Sequence, residues 1–489
     1  MQSTFETEEF SIDHPLKELE DMREIQGSSI LILGYGREGK SVHQYLLKNY
    51  PDIKVGIADL KGVKEPIDPA TPVHAGEDYL ASLQYYDTIV RSPGIPLRTA
   101  EIQQAIDTGK QVTSATNIFL AEQQGNVIGI TGTKGKSTTS SLIFAILQTQ
   151  YPDVRLVGNI GKSALDYLAD ADRNTIFVFE LSSYQLADIR CSPHIAVFLN
   201  LVPEHLDYHG GFLDYAEAKE NIFRYQTQND FAVFNPAQLK VAEIAGRYPA
   251  QKICFSLEPI VRQTHKQAKE QIDRCQCYVK NGSIWADCKT RGNEQILSIS
   301  EIPLLGKGNV ENVLAAIAVG LHFEVPLPLI REAIKAFQPL KHRLELVGEY
   351  RGIRFYNDSI ATIPAAAINA IEAFGNDVQT LIAGGLDRGV DFTEFGVFLV
   401  KKRIETLILF PTTGERIWHA VCRAAAGEEF CPRKYDVSTM EEAVRIAFET
   451  SLPGKVCLLS PASSSYSVFR SFEDRGDQFR QWVKQLGIV

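Results

Sequence analysis

The chain holds no CxxC pair, and its eight cysteines are scattered over 489 residues, with Cys275 and Cys277 the closest two. A reduced, cytoplasmic protein fits that usage best, with most cysteines serving as small buried hydrophobes. The opening residues, MQSTFETEEFSIDH, lack the basic and apolar regions of a signal peptide, and no apolar run reaches transmembrane length. A membrane partner is therefore not expected. An excess of positive charge is also missing: 50 Lys and Arg face 60 Asp and Glu, a net charge of -10, which argues against a general nucleic-acid binder. Small acidic substrates would need a local basic pocket. No low-complexity tract and no solenoid-type repeat interrupts the chain.

What is present is abundant material for several cores, with 44% hydrophobic and 22% charged residues. At roughly 150 residues per domain the length suggests about three domains. Apolar runs ending in turns recur. Residues 29–34 (SILILG), 54–59 (KVGIAD) and 86–91 (YDTIVR) read as strands of a first βαβ unit, residues 1–122. Residues 126–131 (NVIGIT), 175–180 and 195–201 read as strands of a second unit, 123–340, in which 248–301 is a β-rich elaboration. Strands at 380–383, 406–410 and 455–460 alternate with helical segments in a third unit, 341–489. The expected class is α/β, three domains each built on a mostly parallel sheet.

The strongest local signal is Thr131-Gly132-Thr133-Lys134-Gly135-Lys136-Ser137-Thr138, between a buried strand and the apolar helix SSLIFAILQ. Glycines let a backbone wrap a polyphosphate, and the helix N-terminus adds a favourable dipole. Lys136 can neutralise β- and γ-phosphate charge and Ser137 can ligate Mg²⁺. The standard GxxxxGK[ST] pattern asks for glycine where the chain has Ile130, so an ordinary glycine turn is the bland alternative. Glu180 ends a buried strand one βα unit later, a natural place for a Mg²⁺ ligand; His205 or His209 follows the next strand; Lys219 lies on the helix-forming stretch YAEAKENIF and would pass for a surface lysine.

Together these segments resemble the Mur ligase family. The series TGTKGKST, GNIG, ELSSYQL, PEHLDYH, YAEAK, GKGNVENVLAA, HRLE, NDS, SPASSS and FEDRG runs in family order over nearly the whole chain, and ELSSYQL and SPASSS look most like the glutamate-adding branch. The resemblance implies a Rossmann-like N-terminal domain, a central P-loop ATPase domain and a Rossmann-like C-terminal domain. It implies ATP-dependent addition of D-glutamate to UDP-N-acetylmuramoyl-L-alanine by a cytoplasmic monomer. Gly132, Thr133, Lys134, Gly135, Lys136, Ser137 and Thr138 would hold the triphosphate. Asn309 and Asn312 would border the adenine, Arg343 the phosphates and Asp358 the ribose. Ser137 and Glu180 would hold one Mg²⁺; His205 and a carbamylated Lys219 would hold a second. Lys136, His205 and Lys219 form the catalytic set. Gly36, Arg37, Glu38, Asp59, the turn Ser92-Pro93-Gly94, Asn159 and Gln185 would meet the UDP-linked substrate. Thr362, Arg388, Ser465 and Phe472 would meet glutamate.

Three departures stand out. Asp358-Ser359-Ile360-Ala361-Thr362 carries isoleucine where the common glutamate-ligase motif carries lysine, a change the resemblance also associates with an L-glutamate-adding variant. Gly308 replaces the usual histidine of the adenine-side motif, and Arg388 takes the place of a substrate-binding lysine. From another class, the GxGxxG at 34–39 with Asp59 ending the next strand also reads as an NAD-dependent oxidoreductase. A second nucleotide loop at Lys136 favours the ligase. Folylpolyglutamate synthase, a ligase of the same superfamily, is disfavoured by the separate N-terminal unit.

Overall fold

The structure is a computed structural model that describes residues 24–25, 27–259, 275–289, 292–466 and 468–488. The N-terminal leader through residue 23 and part of the 248–301 elaboration lie outside the described residues. The chain divides into two compact units, one comprising the described residues up to 136 together with 152–253, the other 137–151 together with 254 onward.

The first unit contains a parallel sheet of β1 (Ser29–Leu33), β2 (Lys54–Asp59), β3 (Val73–Ala75), β4 (Thr88–Arg91) and β5 (Gln111–Thr113), in the order β3-β2-β1-β4-β5. Chain order reverses between β1 and β4, so the crevice beyond their C-terminal ends is the topological switch point, where ligands bind in open α/β sheets. A second sheet carries β6 (Asn126–Thr131), β7 (Val154–Gly158), β8 (Ile176–Glu180), β9 (Ile195–Phe198), β10 (Phe231–Phe234) and β11 (Gln251–Ser256), in the order β11-β10-β9-β6-β8-β7. β6 is flanked by β8 on one side and β9 on the other, and the chain fills the β8-β7 side before crossing to β9, so the turn after β6 occupies the same kind of position. Ile128, Ile130, Phe177, Val178, Ala196 and Val197 are buried, which is why these strands read as continuous apolar runs and not as alternating ones.

In the second unit β12 (Cys275–Lys280), β13 (Ser283–Cys288) and β14 (Gly292–Ser298) form an antiparallel meander, the described part of the β-rich elaboration. The register sets Cys275 directly opposite Cys288, and the two are joined by a disulfide. The expectation of reduced cysteines throughout is corrected at this pair; Cys254, Cys277 and Cys457 are buried and free, as expected.

A six-stranded sheet follows, of β15 (Glu345–Tyr350), β16 (Ile353–Asn357), β17 (Val378–Gly384), β18 (Thr406–Phe410), β19 (Arg433–Asp436) and β20 (Val456–Leu459), in the order β15-β16-β20-β17-β18-β19. Its pairs are parallel except β15 with β16. Successive strand residues point to opposite faces. Leu381, Leu407, Leu409 and Leu458 therefore pack in one core with Ile371, Phe395 and Ile417 from helices Pro364–Glu372, Thr393–Lys401 and Thr413–Ala425. Ile382, Ile408, Phe410 and Leu459 pack in another with Val444 and Phe479 from helices Met440–Thr450 and Phe472–Gly487. Helices on both faces make this sheet doubly wound, as read from the sequence. Among the described residues no helix is long and apolar enough to cross a membrane.

Candidate active site

The turn after β6 is pinned from two sides. Asn200, just beyond β9, accepts the Lys134 backbone N–H through Oδ1 at 2.8 Å and donates Nδ2 to the Lys134 carbonyl at 2.9 Å. Thr133 Oγ1 lies 2.9 Å from the Tyr215 hydroxyl and accepts the Val202 N–H at 3.0 Å. Lys136 opens the helix Lys136–Leu147, and its ammonium donates to the Gly132 and Thr133 carbonyls, both at 3.0 Å. Lys134 pairs with Glu204 at 2.5 Å. Ser137 and Thr138 lie in the first turn of that helix, with Thr138 Oγ1 buried and without a hydrogen-bond partner.

Lys219 is not a surface charge. It lies on the helix Phe212–Arg224, whose buried face also carries Tyr215, Ala218 and Ile222, and it is only 1% exposed. Its amine donates to the Gly132 carbonyl at 2.9 Å and to Thr131 Oγ1 at 3.2 Å, and stands 5.1 Å from the centre of the Tyr215 ring. Burial, and then the Lys136 charge, hold this amine well below the ordinary lysine range. Glu180, at the end of β8, is also buried; Oε1 accepts from Asn159 Nδ2 at 3.1 Å, while Oε2 has no hydrogen-bond partner. Asn159, expected at the UDP-linked substrate, thus stands beside Glu180.

The two histidines separate clearly. His209 is buried, 3.0 Å from Ser183 Oγ through Nε2 and stacked on Tyr184, and desolvation with nearby cations pushes its imidazole down to about 4. His205 is exposed in the left-handed region at φ +56°. Desolvation by its neighbours depresses its imidazole first; Glu204 opposes this, and the Lys136, Lys134 and Lys219 charges reinforce it.

At the switch point of the first sheet, Gly34 has φ +90°, and a Cβ there would fall 2.8 Å from Ser92 Cβ. Ser92 Oγ donates to the Gly34 carbonyl at 2.8 Å, locking the Ser92-Pro93-Gly94 turn against the glycine turn. Asp59 accepts the Tyr35 and Lys61 N–H groups. Gly36 caps the helix Arg37–Asn49, whose first residues reach the other sheet of the same unit. Arg37 donates to the Gly158 and Gly161 carbonyls, and Glu38 accepts from Gln185 Nε2 at 2.8 Å. Gln185 also closes a capping box with Ser182, so its orientation is fixed by the helix start it serves. Glu38 is buried, and desolvation raises its carboxyl.

In the second unit Asn309 and Asn312 sit at the start of the helix Lys307–His322, where Asn312 Nδ2 donates to Asn309 Oδ1 at 3.0 Å and Asn312 Oδ1 accepts from Thr139 at 3.2 Å. Arg343 lies between two left-handed residues, His342 at φ +62° and Leu344 at φ +44°, and its Nε is buried without a hydrogen-bond partner. Backbone held this way costs on the order of 1–3 kcal/mol per residue and clusters at ligand sites. Asp358 is buried, accepts Leu344 N–H and Ser460 Oγ–H, and is raised to about 7 by desolvation. Thr362 follows on the same loop. The segments that carry the glutamate candidates are linked through their neighbours: Leu386 N–H donates to the Ser464 carbonyl at 2.8 Å, Arg388 stands 5.9 Å from the Tyr466 ring, and Ser359 Oγ donates to the Phe472 carbonyl at 2.8 Å. Asp387, the obvious surface partner for Arg388, pairs with Arg416 instead.

Residue roles missed in the sequence include Tyr215, which supports both Thr133 and Lys219; Arg91, buried with Asp188 at 2.8 Å and donating to the Ile95 carbonyl; and Arg475, whose buried guanidinium meets no acid among the described residues. A charge closing the apolar run TIVR was the available signal for Arg91; Arg475 gave none.

Three family matches lie along the chain: the MurD-like N-terminal domain of Mur ligases over residues 28–114, the Mur ligase middle domain over 130–320, and the Mur ligase glutamate ligase domain over 342–463. A phosphate turn at one sheet edge, a second nucleotide-type turn at another and this succession of domains place the chain in the Mur ligase family, with its three-domain α/β fold. Within that family the chain is 35% identical to the UDP-N-acetylmuramoylalanine--D-glutamate ligase of Geobacillus kaustophilus (strain HTA426) over 469 residues, covering 94% of this chain and 98% of that one. Solved structures share the fold at lower identity. The MurC of Thermotoga maritima matches with TM-score 0.57 and 15% identity, over 94% of this chain and 99% of that one. The MurF ligase of the same organism, solved with ADP, matches with TM-score 0.56 and 16% identity, over 95% and 97%.

Proposed function

We propose that the protein joins D-glutamate to UDP-N-acetylmuramoyl-L-alanine, using ATP to activate the substrate carboxylate as an acyl phosphate. The observation that carries this reading is the pairing of the turn 132–136 with a buried amine, Lys219, whose hydrogen bond ends on the Gly132 carbonyl. The organisation follows the three segments 1–122, 123–340 and 341–489, with the protein acting as a monomer in the cytoplasm, where both nucleotides are available.

A carboxylate resists amines because oxide is a poor leaving group. Phosphorylation by ATP supplies a good one; the glutamate amine then attacks the acyl carbon and expels phosphate. Catalysis is mostly positioning and charge neutralisation. In the first unit Gly132, Thr133, Lys134, Gly135 and Lys136 line the triphosphate turn, with Ser137 and Thr138 next along the chain. Gly36, Arg37, Glu38, Asp59, Ser92, Pro93, Gly94, Asn159 and Gln185 serve the UDP-linked substrate. In the second unit Asn309, Asn312, Arg343 and Asp358 serve the nucleotide, and Thr362, Arg388, Ser465 and Phe472 serve glutamate.

One feature supports a magnesium ligand at the end of β8. Glu180 Oε2 is buried with no hydrogen-bond partner among the described residues, a carboxylate oxygen that a hard cation could take. His205 and Ser137 are further ligand candidates. Lys219 joins them as a carbamate: CO₂ addition to the buried amine replaces a cation by anionic oxygens. Magnesium, when bound, withdraws charge from phosphoryl oxygens. A phosphate-release assay with UDP-N-acetylmuramoyl-L-alanine, ATP and either D- or L-glutamate tests the proposal. Release with D-glutamate is expected. Release with L-glutamate alone would transfer the reading to the variant suggested by Ile360, and release with neither would end it.

A further inference from the structure

Arg475 is fully buried, yet among the described residues no carboxylate pairs with it. Each of its three nitrogens donates to a neutral acceptor: Nε to Ser359 Oγ at 3.0 Å, Nη2 to the Ser359 carbonyl at 2.8 Å, and Nη1 to the Ser463 carbonyl at 3.1 Å. Removing a cation from water without an anion is costly, and neutral hydrogen bonds offset that only in part. Burial lowers its pKa to about 9, which leaves the group charged at neutral pH.

Its contacts coincide with the segments assigned above to glutamate. Ser359 begins the loop that reaches Thr362. Ser463 lies two residues before Ser465. Ser359 Oγ passes the connection on to the Phe472 carbonyl. The fourth segment, leading to Arg388, is held just as closely: a Cβ on Gly385, at φ +151°, would fall 2.1 Å from the Ser464 carbonyl oxygen and 3.3 Å from Arg475 Nη1. Only glycine admits that approach.

We propose that Arg475 is a positioning residue that supplies the amino-acid pocket with a fixed, uncompensated positive charge from beneath its floor, selecting a dicarboxylic amino acid over its neutral-side-chain analogue. The inference rests on the ligase reading above. The incoming dianion completes the charge balance that the apoprotein lacks, and it does so through the Ser359 and Ser463 loops, since the guanidinium itself is sealed from solvent. A charge in a low-dielectric interior acts over distances at which a solvated one is screened.

The test compares wild type, Arg475→Lys and Arg475→Met in the phosphate-release assay, with KM for glutamate, KM for ATP, and inhibition by glutamine of the same configuration, which keeps the shape and drops one charge. Arg475→Met is expected to raise KM for glutamate by about tenfold or more while KM for ATP moves by less than about twofold and glutamine inhibition changes little. Arg475→Lys, which keeps the charge and loses the fork, is expected to recover most of the loss. Equal damage to glutamate, glutamine and ATP, or a lysine variant as impaired as the methionine one, would overturn the proposal and leave a structural clamp. If Arg475→Met does not fold, Arg475→Gln, which drops the charge but keeps a hydrogen-bonding amide, takes its place: a rise in the glutamate KM without a matching rise in the ATP KM supports the proposal, and a uniform rise or none overturns it. A wild type that releases phosphate with neither glutamate enantiomer overturns the ligase reading and this inference together, whereas an active wild type with indifferent Arg475 variants overturns this inference alone.

Discussion

Lys219 in the first unit and Arg475 in the second present the same physical problem, a basic side chain sealed from water with no ion-pair partner among the described residues. They resolve it differently. A lysine can shed its proton, and burial, reinforced by the Lys136 charge, pushes the Lys219 amine well below the ordinary lysine range; the proposed carbamate uses that. An arginine keeps its charge, so Arg475 fixes its guanidinium on three neutral acceptors and holds a positive field under the pocket. Each buried cation has a more accessible counterpart, Lys136 at the phosphate turn and Arg388 at the amino-acid pocket. Arg91 is the contrast within the molecule: buried as deeply, it has Asp188 at 2.8 Å, as expected of a purely architectural arginine.

The largest effect that would sharpen this comparison belongs to Lys136. Lys136→Ala is expected to lower kcat by about a thousandfold or more with little change in melting temperature, since the lysine acts on phosphate charge and not on packing. Near-normal kcat would remove the phosphate turn from the mechanism. Next is the buried amine. Lys219→Ala is expected to lose about a hundredfold or more of activity and to regain part of it with formate or acetate, which can take the carbamate's place. No such rescue is expected for Arg475→Met. A Lys219→Ala variant that is active without added acid would dissolve the distinction between the two sites.

Arg388→Ala should raise KM for glutamate by about tenfold or more and leave KM for ATP within about twofold. An equal rise in both would move Arg388 to the nucleotide. A smaller effect concerns Asp358, whose carboxyl is raised from 3.8 to about 7 by burial. The folded state binds this proton more tightly than the unfolded chain does, so its contribution to stability is full below about pH 4 and is lost as pH rises to about 7. Urea unfolding from pH 4.5 to 7.5 should show Asp358→Asn flattening that decline by on the order of a few kcal/mol. An unchanged slope would mean that Asp358 ionises freely. The smallest expected effect is none: NADH and NADPH should leave the intrinsic fluorescence and melting temperature unchanged, and micromolar binding at the turn 34–39 would revive the oxidoreductase reading.

Much of this was legible in the chain itself. Strands such as β6 and β18 are apolar runs bounded by turns, and their reading required only that a parallel strand is buried on both faces. Short edge strands such as β3 and β19 carry exposed or half-buried residues and gave no such signal. The turn 132–136 was legible because its chemistry is local. Lys219 was legible only through the family resemblance, because YAEAKENIF by itself reads as a helix with a surface-type lysine, and it is the packing of its face against the turn after β6 that turns the side chain inward.

The order of motifs, the residue types at the phosphate turn and the alternation of strand and helix were fixed by the sequence, because each depends on neighbours a few positions apart. The pKa shifts of Lys219, Asp358 and Arg475, the burial of His209 beside an exposed His205, and the joining of Ser359, Ser463 and Phe472 around one guanidinium were decided by tertiary structure. The physical reason is that desolvation and hydrogen bonding are properties of a place. Ser359 and Arg475 are 116 positions apart and meet only because the helix containing Arg475 packs against the sheet beside β16, the strand that leads to Ser359.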